Sequence, residues 1–397
     1  MSRVLMAWEL GANMGHIDRM LITARALRER GHAVTFALKD LARAHGRIVA
    51  DGFPMLQSPL WLPRMVNPPK LVNFSAVLAA AGWLDPAGLA GLLSAWRGLF
   101  DLHRPELLVC DHAPTAMLAM RGRGTPIAAI GNCFEIPPHR DVFPAMNYWD
   151  KGDVAQCARS DALLLAPVNQ ALALLGDSAL PRLTELFGGV RCIAASLPEL
   201  AHYPEYDERV RMVGPSYVGD KGVAPEWPAG EGARVFVYLS PEHADFNALM
   251  EALRQSGMRT LVHAKGLSPD AARRLGGPSV RFESSPVQMD PAVRAADLVI
   301  SHASIGTVSA AALAGCPQLV LPNHMEQYMV ARRIVDGGFG LAVPPGSKNT
   351  DYPALLRRLL DEARFAAAAR ALAQRHAGAD PTKTGACIAD ELEALLR

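Results

Sequence analysis

The 397-residue sequence lacks a surplus of charge of either sign. Lys and Arg total 40 against 39 Asp and Glu, which leaves a formal net charge of +1. Proteins that bind nucleic acid or an anionic membrane through a broad basic surface carry a strong excess of positive charge. We therefore expect no nucleic-acid partner, and any anion site must be local.

Long apolar runs and paired cysteines are also missing. The most apolar stretch, residues 71–100, is divided by Asp85, Pro86 and Arg97 into pieces shorter than the ~20 residues that span a bilayer. We expect no transmembrane segment, although peripheral membrane contact through this stretch stays open. The six cysteines form no C-x-x-C pair and no cluster with zinc spacing. The sequence thus predicts a reduced, cytoplasmic protein without a metal site.

Short β-branched runs alternate with helical patterns in both halves, which is typical of α/β domains built on parallel sheets. Strands are predicted at residues 4–8, 33–38, 106–110, 126–130, 191–194, 235–239, 260–264, 280–283, 298–301 and 318–322. Helical patterns lie between them, at 17–30, 244–255, 307–314 and 327–336. The predicted fold is α/β, with two doubly wound, Rossmann-like domains.

The boundary between the domains is predicted from composition. Residues 214–232 are crowded with Gly and Pro and show neither the helical nor the strand periodicity of apolar residues, which indicates a linker. We therefore assign an N-terminal domain to residues 1–213 and a C-terminal domain to 233–375. Residues 376–397 are predicted to contain a closing helix that returns to the N-terminal domain.

A glycine-rich turn, Gly11-Ala-Asn13-Met-Gly15-His16, follows the first predicted strand. The carboxyl end of such a strand opens onto the ligand crevice, so this turn would approach a substrate closely. The helix dipole would lower the pKa of His16 and keep the ring neutral, as a general base requires. Asp111 ends a neighbouring strand and would orient the ring. The alternative, that both side chains only cap helices, stays open.

A second motif, His302-Ala-Ser304-Ile-Gly306-Thr307, joins a strand to a helix of small residues. A helix that begins on Ser, Gly and Thr offers backbone N–H groups and the positive end of its dipole to an anion such as phosphate. Glu326 and Gln327 follow the next strand, where they could hydrogen-bond to sugar hydroxyls. Each feature alone is ordinary helix chemistry. Their succession in consecutive loops favours a binding site.

These motifs, in this order, resemble the GT-B glycosyltransferases, the nucleotide-sugar-dependent superfamily that includes the UDP-glycosyltransferases and the macrolide and antibiotic glycosyltransferases. Residues 15–35 look like the family's G-H-x-x-P…G-H-x-V-T segment, and residues 297–322, 326–327 and 338–340 look like its donor-binding signature. The resemblance covers most of the chain. It implies two domains that face each other across a cleft, with closing C-terminal helices.

The resemblance also implies roles for individual residues. His16 would be the catalytic base and Asp111 its partner, while Gly11, Asn13 and Gly15 would form the acceptor loop. The remaining implied contacts are to the donor: Ser240, His302, Ser304, Gly306 and Thr307 to the diphosphate, Glu326 and Gln327 to the sugar, and Ser285, Val287 and Gln288 to the nucleoside. No metal is expected, and no cofactor besides the nucleotide-sugar co-substrate.

The chain departs from the family pattern at several motif positions. The family's Pro three residues after the histidine is Arg19, and its H-G-G is His302-Ala303-Ser304. The glycine-serine loop after the first strand of the C-terminal domain is Ser240-Pro241-Glu242, and the Pro-Gln before Met289 is Val287-Gln288. Since His16 and Thr307 are retained, the chemistry is still expected.

The predicted function is inverting, metal-independent transfer of a sugar from a UDP- or dTDP-sugar to a hydroxyl or amide of an apolar, lipid, polyketide, aromatic or peptide acceptor. The enzyme would be a monomer or a homodimer. The alternatives are a nucleotide-sugar epimerase of the same fold, a non-catalytic partner protein, and an NAD-dependent oxidoreductase, although residues 11–16 lack G-x-G-x-x-G. Trp61, Trp83, Trp96 and Phe134 either line an acceptor pocket or fill a core.

Overall fold

A computed structural model describes residues 1–12, 14–63, 65–67, 69–150, 154–217 and 221–397. The chain divides into two compact units. Unit 1 comprises Met1–Ala195, Tyr203–Gly214 and Lys383–Arg397, and unit 2 comprises Ser196–His202 and Pro215–Thr382. Each unit has its own parallel sheet with helices, so the predicted α/β fold class is confirmed.

The sheet of unit 1 contains seven parallel strands. They are Arg3–Trp8 (β1), Ala33–Leu38 (β2), Met55–Gln57 (β3), Leu107–Asp111 (β4), Ile127–Gly131 (β5), Arg191–Ala194 (β6) and Val210–Met212 (β7). Their order across the sheet is β3-β2-β1-β4-β5-β6-β7. β2 and β3 lie on one side of β1, and β4 to β7 lie on the other, so the strand order reverses between β1 and β4. In doubly wound sheets this switch point is where ligands bind.

Burial explains why the central strands read as continuous apolar runs. Residues 4–8 of β1 and 107–110 of β4 are at most 1% exposed, since helices cover both faces of a parallel sheet. The α-helices of unit 1 are Gly15–Glu29 (α1), Leu41–Ile48 (α2), Phe74–Leu78 (α3), Pro86–His103 (α4), Pro114–Met120 (α5), Val154–Leu174 (α6) and, from the C-terminal segment, Thr384–Glu393 (α14).

The last helix packs on the first. Ile388, Ala389 and Leu392 of α14 are fully buried in the same core cluster as α1 and β1. Gly385 permits this close approach, because a Cβ atom there would lie 2.7 Å from the carbonyl oxygen of Ile22. The start and end of the described chain therefore share one core.

The sheet of unit 2 contains six parallel strands. They are Arg234–Tyr238 (β8), Arg259–His263 (β9), Val280–Glu283 (β10), Leu298–Ser301 (β11), Gln318–Val320 (β12) and Gly340–Ala342 (β13). Their order is β10-β9-β8-β11-β12-β13, so unit 2 repeats the order of the first six strands of unit 1, with its switch point between β8 and β11. The α-helices are Phe246–Ser256 (α7), Pro269–Leu275 (α8), Met289–Ala295 (α9), Ile305–Leu313 (α10), Met325–Asp336 (α11), Tyr352–Asp361 (α12) and Ala363–Arg375 (α13).

Two segments lie in a different unit from the domain that the sequence predicts for them. Residues 196–202, assigned to the N-terminal domain, lie in unit 2, because Leu197 and Leu200 join its core and Glu199 bonds to His376 at 2.8 Å. Residues 376–382 also lie in unit 2, and the segment that joins unit 1 begins at Lys383. Of the predicted linker, residues 218–220 fall outside the described residues.

The apolar stretch at residues 71–100 forms two helical pieces. Phe74–Trp83 and Pro86–His103 meet at an angle of 84°, and only together do they reach the length and apolarity of a membrane span. In the part of the chain that the structure describes, no single helix reaches both. Trp83, Leu89, Leu93 and Trp96 are fully buried in unit 1.

Candidate active site

The switch point of unit 1 brings His16 and Asp111 together. His16 is the second residue of α1, which begins just after the turn that follows β1, and Asp111 is the last residue of the neighbouring β4. The Nδ1 atom of His16 lies 2.7 Å from Oδ1 of Asp111. Because a carboxylate only accepts hydrogen bonds, Nδ1 carries the proton, and Nε2 is the atom that can take one up.

The Nε2 atom of His16 lies directly against the backbone of Gly11. A Cβ atom on Gly11 would be 2.4 Å from Nε2, and Gly11 has a φ of +79°, which side chains rarely adopt. Gly15 is different, since a Cβ atom there would meet nothing within 4 Å. The third residue of the predicted acceptor loop, Asn13, lies outside the described residues.

Arg19 and Glu135, for which the sequence predicted no role in the site, complete this cluster. Arg19, one turn further along α1, donates from Nε to Oδ2 of Asp111 at 2.8 Å and from Nη2 to Oδ1 at 2.7 Å. The same Nη2 donates to Oε1 of Glu135 at 3.3 Å, and that oxygen lies 3.6 Å from Nδ1 of His16. The four side chains are at most 10% exposed. Arg19 carried a signal as a departure from the family's Pro, whereas Glu135 follows β5 without any motif.

The pKa of His16 is opposite in direction to the sequence expectation. Burial lowers the pKa of His16, but the charge and hydrogen bond of Asp111 and the charge of Glu135 outweigh burial, so the pKa is raised above 6.5. Burial would raise the pKa of Glu135, but Arg19, followed by His16, lowers it to about 2. The expectation of a lowered pKa for His16 was wrong because the helix terminus was considered without the two carboxylates.

A metal ion is disfavoured at this cluster by its own composition. Among the described residues, His16, Asp111 and Glu135 form the one group whose ligand atoms lie close enough to share an ion, within 4.8 Å. The guanidinium of Arg19 already bonds to both oxygens of Asp111 and to Glu135. A buried permanent cation in contact with these carboxylates opposes a second cation at the same place.

A cavity of about 610 Å³ opens beside this cluster within unit 1. Its wall includes Gly11, which lies against the ring of His16, and His112, which follows Asp111 in the chain, and the wall is otherwise largely apolar. Its apolar lining residues are Leu10, Pro59, Leu60, Trp61, Leu62, Pro63, Met65, Val77, Ala80, Ala81 and Leu92. Such a wall, with few polar groups, is typical of a small-molecule site.

The four aromatic residues considered for an acceptor pocket separate into different roles. Trp83 and Trp96 are fully buried and belong to the core. Trp61 lines the cavity, and its ring rests on Gly82 and Gly88, where Cβ atoms would come within 2.2 and 2.4 Å of the ring. Phe134 is half-buried, with its ring 6.1 Å from that of His112.

Three ionisable side chains also reach the cavity wall: Glu9, Lys39 and His112. Burial raises the pKa of Glu9 to about 7, although the backbone N–H groups of Thr115 and Ala116 donate to its carboxylate. Burial lowers the pKa of His112 to about 4, so its ring is neutral, and its buried Nε2 has no hydrogen-bond partner. The cavity therefore offers a few polar contacts in an apolar wall.

In unit 2, the motif around His302 also lies at a switch point. His302 follows β11, and its Nε2 accepts a hydrogen bond from the backbone N–H of Ser240, which follows the neighbouring β8, at 2.7 Å. Its Nδ1 lies 3.1 Å from the side-chain amide of Asn323. Burial lowers the pKa of His302 to about 4, so the ring is neutral. The structure thus brings His302 and Ser240 together, and the imidazole links three loops at this edge.

The N-terminus of α10 is free of a side-chain cap. Ser304 occupies the cap position without a capping hydrogen bond, and the N–H of Val308 is the first to bond back, to the oxygen of Ser304 at 3.0 Å. The N–H groups of Ile305, Gly306 and Thr307 precede that first bond. Such groups, together with the helix dipole, form an anion site.

The residue before the cap of this helix has an unusual backbone. Ala303, which stands where the family has Gly, has a φ of +65° and is 1% exposed. The left-handed region costs an L-residue roughly 1–2 kcal/mol. The chain therefore keeps the loop shape that a glycine would adopt without strain.

The predicted sugar and nucleoside contacts lie in different parts of unit 2, since the sugar contacts follow β12 and the nucleoside contacts follow the edge strand β10. Glu326 and Gln327 are in the first turn of α11, and Oε1 of Gln327 accepts from the N–H of Asn323 at 2.8 Å. Val287 is 7% exposed and packs in the core, so its side chain does not face the site.

The rest of the predicted nucleoside segment is partly held by hydrogen bonds within unit 2. The N–H of Gln288 donates to the carbonyl oxygen of Val223 at 2.9 Å. The half-buried Ser285 follows β10, and its N–H donates to Glu283 at 3.1 Å. This segment therefore has a fixed backbone at the edge of the sheet.

Comparison with known proteins gives relatives along most of the chain. Residues 275–395 match the family described as erythromycin biosynthesis protein CIII-like, C-terminal domain. The chain is 23% identical over 390 residues to a PGL/p-HBAD biosynthesis glycosyltransferase of Mycobacterium tuberculosis, covering 94% of this chain and 88% of the relative. It is 26% identical over 353 residues to the zeaxanthin glucosyltransferase of Pseudescherichia vulneris, covering 83% of each.

Solved structures show the same fold. The calicheamicin glycosyltransferase CalG4 aligns with a TM-score of 0.74 and 19% identity, over 100% of this chain and 98% of that one. The glycosyltransferase VinC, solved in complex with dTDP, aligns with a TM-score of 0.68 and 18% identity, over 99% and 100%. The two-unit architecture therefore matches structures of glycosyltransferases over its full length.

Proposed function

The chain is a glycosyltransferase with the GT-B fold, and from this premise we propose that it transfers a sugar from a UDP- or dTDP-sugar to a hydroxyl group of an apolar acceptor, with inversion at the anomeric carbon. The observation that carries the proposal is the hydrogen bond of 2.7 Å between His16 Nδ1 and Asp111, which leaves Nε2 as a base beside the cavity of unit 1. The reaction would use no metal and no cofactor besides the donor.

In the proposed reaction, Nε2 of His16 takes the proton of the acceptor hydroxyl as the oxygen forms its bond to the anomeric carbon. The bond from that carbon to the diphosphate oxygen breaks, and its electron pair leaves with the nucleoside diphosphate. Asp111 holds the ring through Nδ1 and stabilises the imidazolium that forms. One attack from the side opposite the leaving group gives inversion.

The N-terminus of α10 would receive the negative charge of the leaving diphosphate. The N–H groups of Ile305, Gly306 and Thr307 are preorganised by the helix and need not reorient as charge develops. VinC, one of the structures with this fold, binds dTDP, which supports a nucleoside diphosphate as the ligand of this unit. Glu326 and Gln327 remain the proposed contacts to the sugar, and Ser285 and Gln288 those to the nucleoside.

The acceptor class is proposed from the cavity of unit 1. Trp61, Met65 and Leu92 are typical of its wall, and polar contacts are few. Burial of a free sugar there would leave most hydroxyl groups without partners, at a cost of about 1–3 kcal/mol each. We therefore infer a lipid, polyketide or aromatic acceptor that presents one hydroxyl toward His16.

The proposal is tested by two assays on the full chain. The first is a thermal-shift panel of UDP, dTDP, GDP and their sugars, in which we expect UDP or dTDP to raise the melting temperature, because a ligand that binds only the folded state stabilises it. The second incubates the matching sugar nucleotide with hydroxylated apolar acceptors, with product mass and anomeric configuration as readouts. Melting temperatures unchanged by every nucleotide, or a product that retains the donor's configuration, would contradict the proposal.

A further inference from the structure

The His16–Asp111 pair does not stand alone in unit 1. Arg19 bonds to both oxygens of Asp111, and Glu135 contacts Arg19 at 3.3 Å and lies 3.6 Å from Nδ1 of His16. The side chains of Asp111 and Glu135 are 0% and 2% exposed, so water screens none of these charges effectively. The charge of Asp111 is therefore shared between two cationic partners whenever His16 is protonated.

Counting charges shows what Glu135 contributes. With Asp111 and Glu135 ionised and Arg19 charged, the cluster is neutral when His16 carries a second proton, on Nε2. Without Glu135, the same protonation would leave one uncompensated positive charge in a buried site, which is costly. Asp111 alone cannot balance both the guanidinium and the imidazolium.

The position of Glu135 is built into the end of β5. Its Oε2 accepts a hydrogen bond from the backbone N–H of Asn132 at 2.8 Å. Gly131, the last residue of β5, makes room for the carboxylate, because a Cβ atom there would lie 2.9 Å from Oε2. The carboxylate is thus fixed by backbone, and its other oxygen is directed to Arg19 and His16.

We propose that Arg19 and Glu135 are positioning residues for the base: Arg19 fixes the Asp111 carboxylate, and Glu135 supplies the second negative charge that allows His16 to hold a second proton, on Nε2, beside the buried guanidinium. The inference rests on the proposed function only in so far as His16 is the base. It deepens that function by replacing a two-residue pair with a four-residue charge network.

Other groups also face His16 and must be considered in a titration. The indole ring of Trp8 stacks on the imidazole at 5.5 Å between centroids, and the neutral ring of His112 lies 6.0 Å away. Lys39 donates to the carbonyl oxygen of Gly11 at 2.9 Å and lies over the Trp8 ring. These groups are the same in every variant below, so differences between variants report on Arg19 and Glu135.

The test is an NMR titration of the full chain with isotope-labelled histidine, in which His16→Gln identifies the His16 signal. An opposite charge at this distance shifts a midpoint by about 1 pH unit or more. We expect Glu135→Gln to lower the His16 midpoint by about 1 pH unit, Arg19→Gln to raise it by about as much, and the double variant to lie between them. Arg25→Gln is the matched control, since Arg25 lies on the same helix but pairs with Asp51.

Equal midpoints in the wild type and both single variants, or shifts of the same sign, would overturn the inference. If Glu135→Gln does not fold, two other variants still decide. Glu135→Asp keeps the charge and should keep the wild-type His16 midpoint within about 0.3 pH units, against a shift of about 1 unit when the charge is removed. The double variant removes both opposite charges.

The titration does not depend on turnover, so it separates the two proposals. Midpoints that move as expected in a chain that glycosylates nothing would retain the charge network and remove the proposed function. In an active chain, the acid limb of kcat/KM should move with the His16 midpoint in each variant. An acid limb that stays fixed while the midpoint moves would remove His16 as the base that this network positions.

Discussion

Arg19 holds both carboxylate oxygens of Asp111 in a bidentate ion pair, with N–O distances of 2.8 and 2.7 Å. The two side chains are 5% and 0% exposed. Because His16 and Arg19 are three residues apart on α1, one face of that helix fixes both the base and the group that anchors its partner. The pair thus links the stability of unit 1 to the geometry of its candidate base.

Loss of the carboxylate should therefore destabilise the chain strongly. Asp111→Asn leaves a guanidinium buried without its main partner, which typically costs 3–5 kcal/mol. The control is Asp51→Asn, which removes the ion pair that Asp51 forms with Arg25 of α1. The side chain of Arg25 is 40% exposed, and exposed ion pairs contribute about 0–1 kcal/mol. Urea unfolding followed by fluorescence measures both. Similar losses of unfolding free energy in the two variants would mean that the buried pair contributes no more to stability than the exposed one.

Removal of the proposed base should affect turnover and not donor binding. A positioned base contributes about 10²- to 10⁴-fold in rate, so His16→Ala should lower kcat by that factor. Calorimetry should give an unchanged Kd for the nucleoside diphosphate, since His16 belongs to unit 1 and the proposed anion site to unit 2. His45→Ala, an exposed histidine on α2, is the control and should retain full turnover. Full turnover in His16→Ala would remove His16 from the mechanism.

The two glycines of the turn should respond differently to the same substitution. Gly11→Ala would place Cβ at 2.4 Å from Nε2 of His16 and force a strained φ, so we expect turnover to fall by at least about 10²-fold, as when the base is displaced. Gly15→Ala adds a methyl group in open space within the first turn of α1 and should keep turnover. Steady-state kinetics of both variants decide the matter: equal effects would show that the contact at Gly11 has no role.

Most of the strands could be predicted from the sequence, and the strands that could not be predicted share one property. Each of the ten predicted strands corresponds to a strand in the structure, but three strands were not predicted: Met55–Gln57, Val210–Met212 and Gly340–Ala342. Each is three residues long and lies at the edge of its sheet. A strand of that length shows no alternation, and its pairing is decided by the neighbouring strand.

The candidate site was predictable only where a motif marks it. His16 and Asp111 could be placed together because both follow neighbouring strands at a switch point. Glu135 lies in an irregular loop, and its role depends on a contact with Arg19, 116 residues earlier in the sequence. The raised pKa of His16 followed from the same contacts, so a helix-dipole argument alone gave the wrong sign.

The ionisation of Glu135 should appear as a pH-dependent contribution to stability. The pKa of Glu135 is lowered from 4.5 to about 2, so the ionised form stabilises the folded chain above pH 4.5, and this stabilisation is lost as the pH falls toward 2. Glu135→Gln should therefore be less stable than wild type by on the order of 3 kcal/mol at pH 5.5.

That difference should narrow below pH 4.5 in urea unfolding measured at successive pH values. Glu106→Gln is the control, because Glu106 is 45% exposed in its pair with Arg3 and should differ little from wild type at any pH. A difference between Glu135→Gln and wild type that stays constant from pH 5.5 to 3 would contradict the assigned ionisation.

The proposed anion site in unit 2 can be tested by removal of a single backbone N–H. Proline is tolerated in the first position of a helix, and Ile305 occupies that position in α10. Ser304, which precedes it, has φ and ψ of −67° and 132°, values that a residue before proline adopts readily. Ile305→Pro should therefore keep the helix and delete one donor to the diphosphate.

A hydrogen bond to a charged group contributes about 1.5–3 kcal/mol, so Ile305→Pro should raise the Kd of the nucleoside diphosphate by about 10-fold or more. Ile305→Ala is the matched control, because it shortens the same side chain but keeps the N–H. Calorimetry on both variants separates the backbone contribution from packing. If the two variants bind equally, the N–H of Ile305 does not contact the diphosphate, and the charge must be received by Gly306, Thr307 or the neighbouring loops instead.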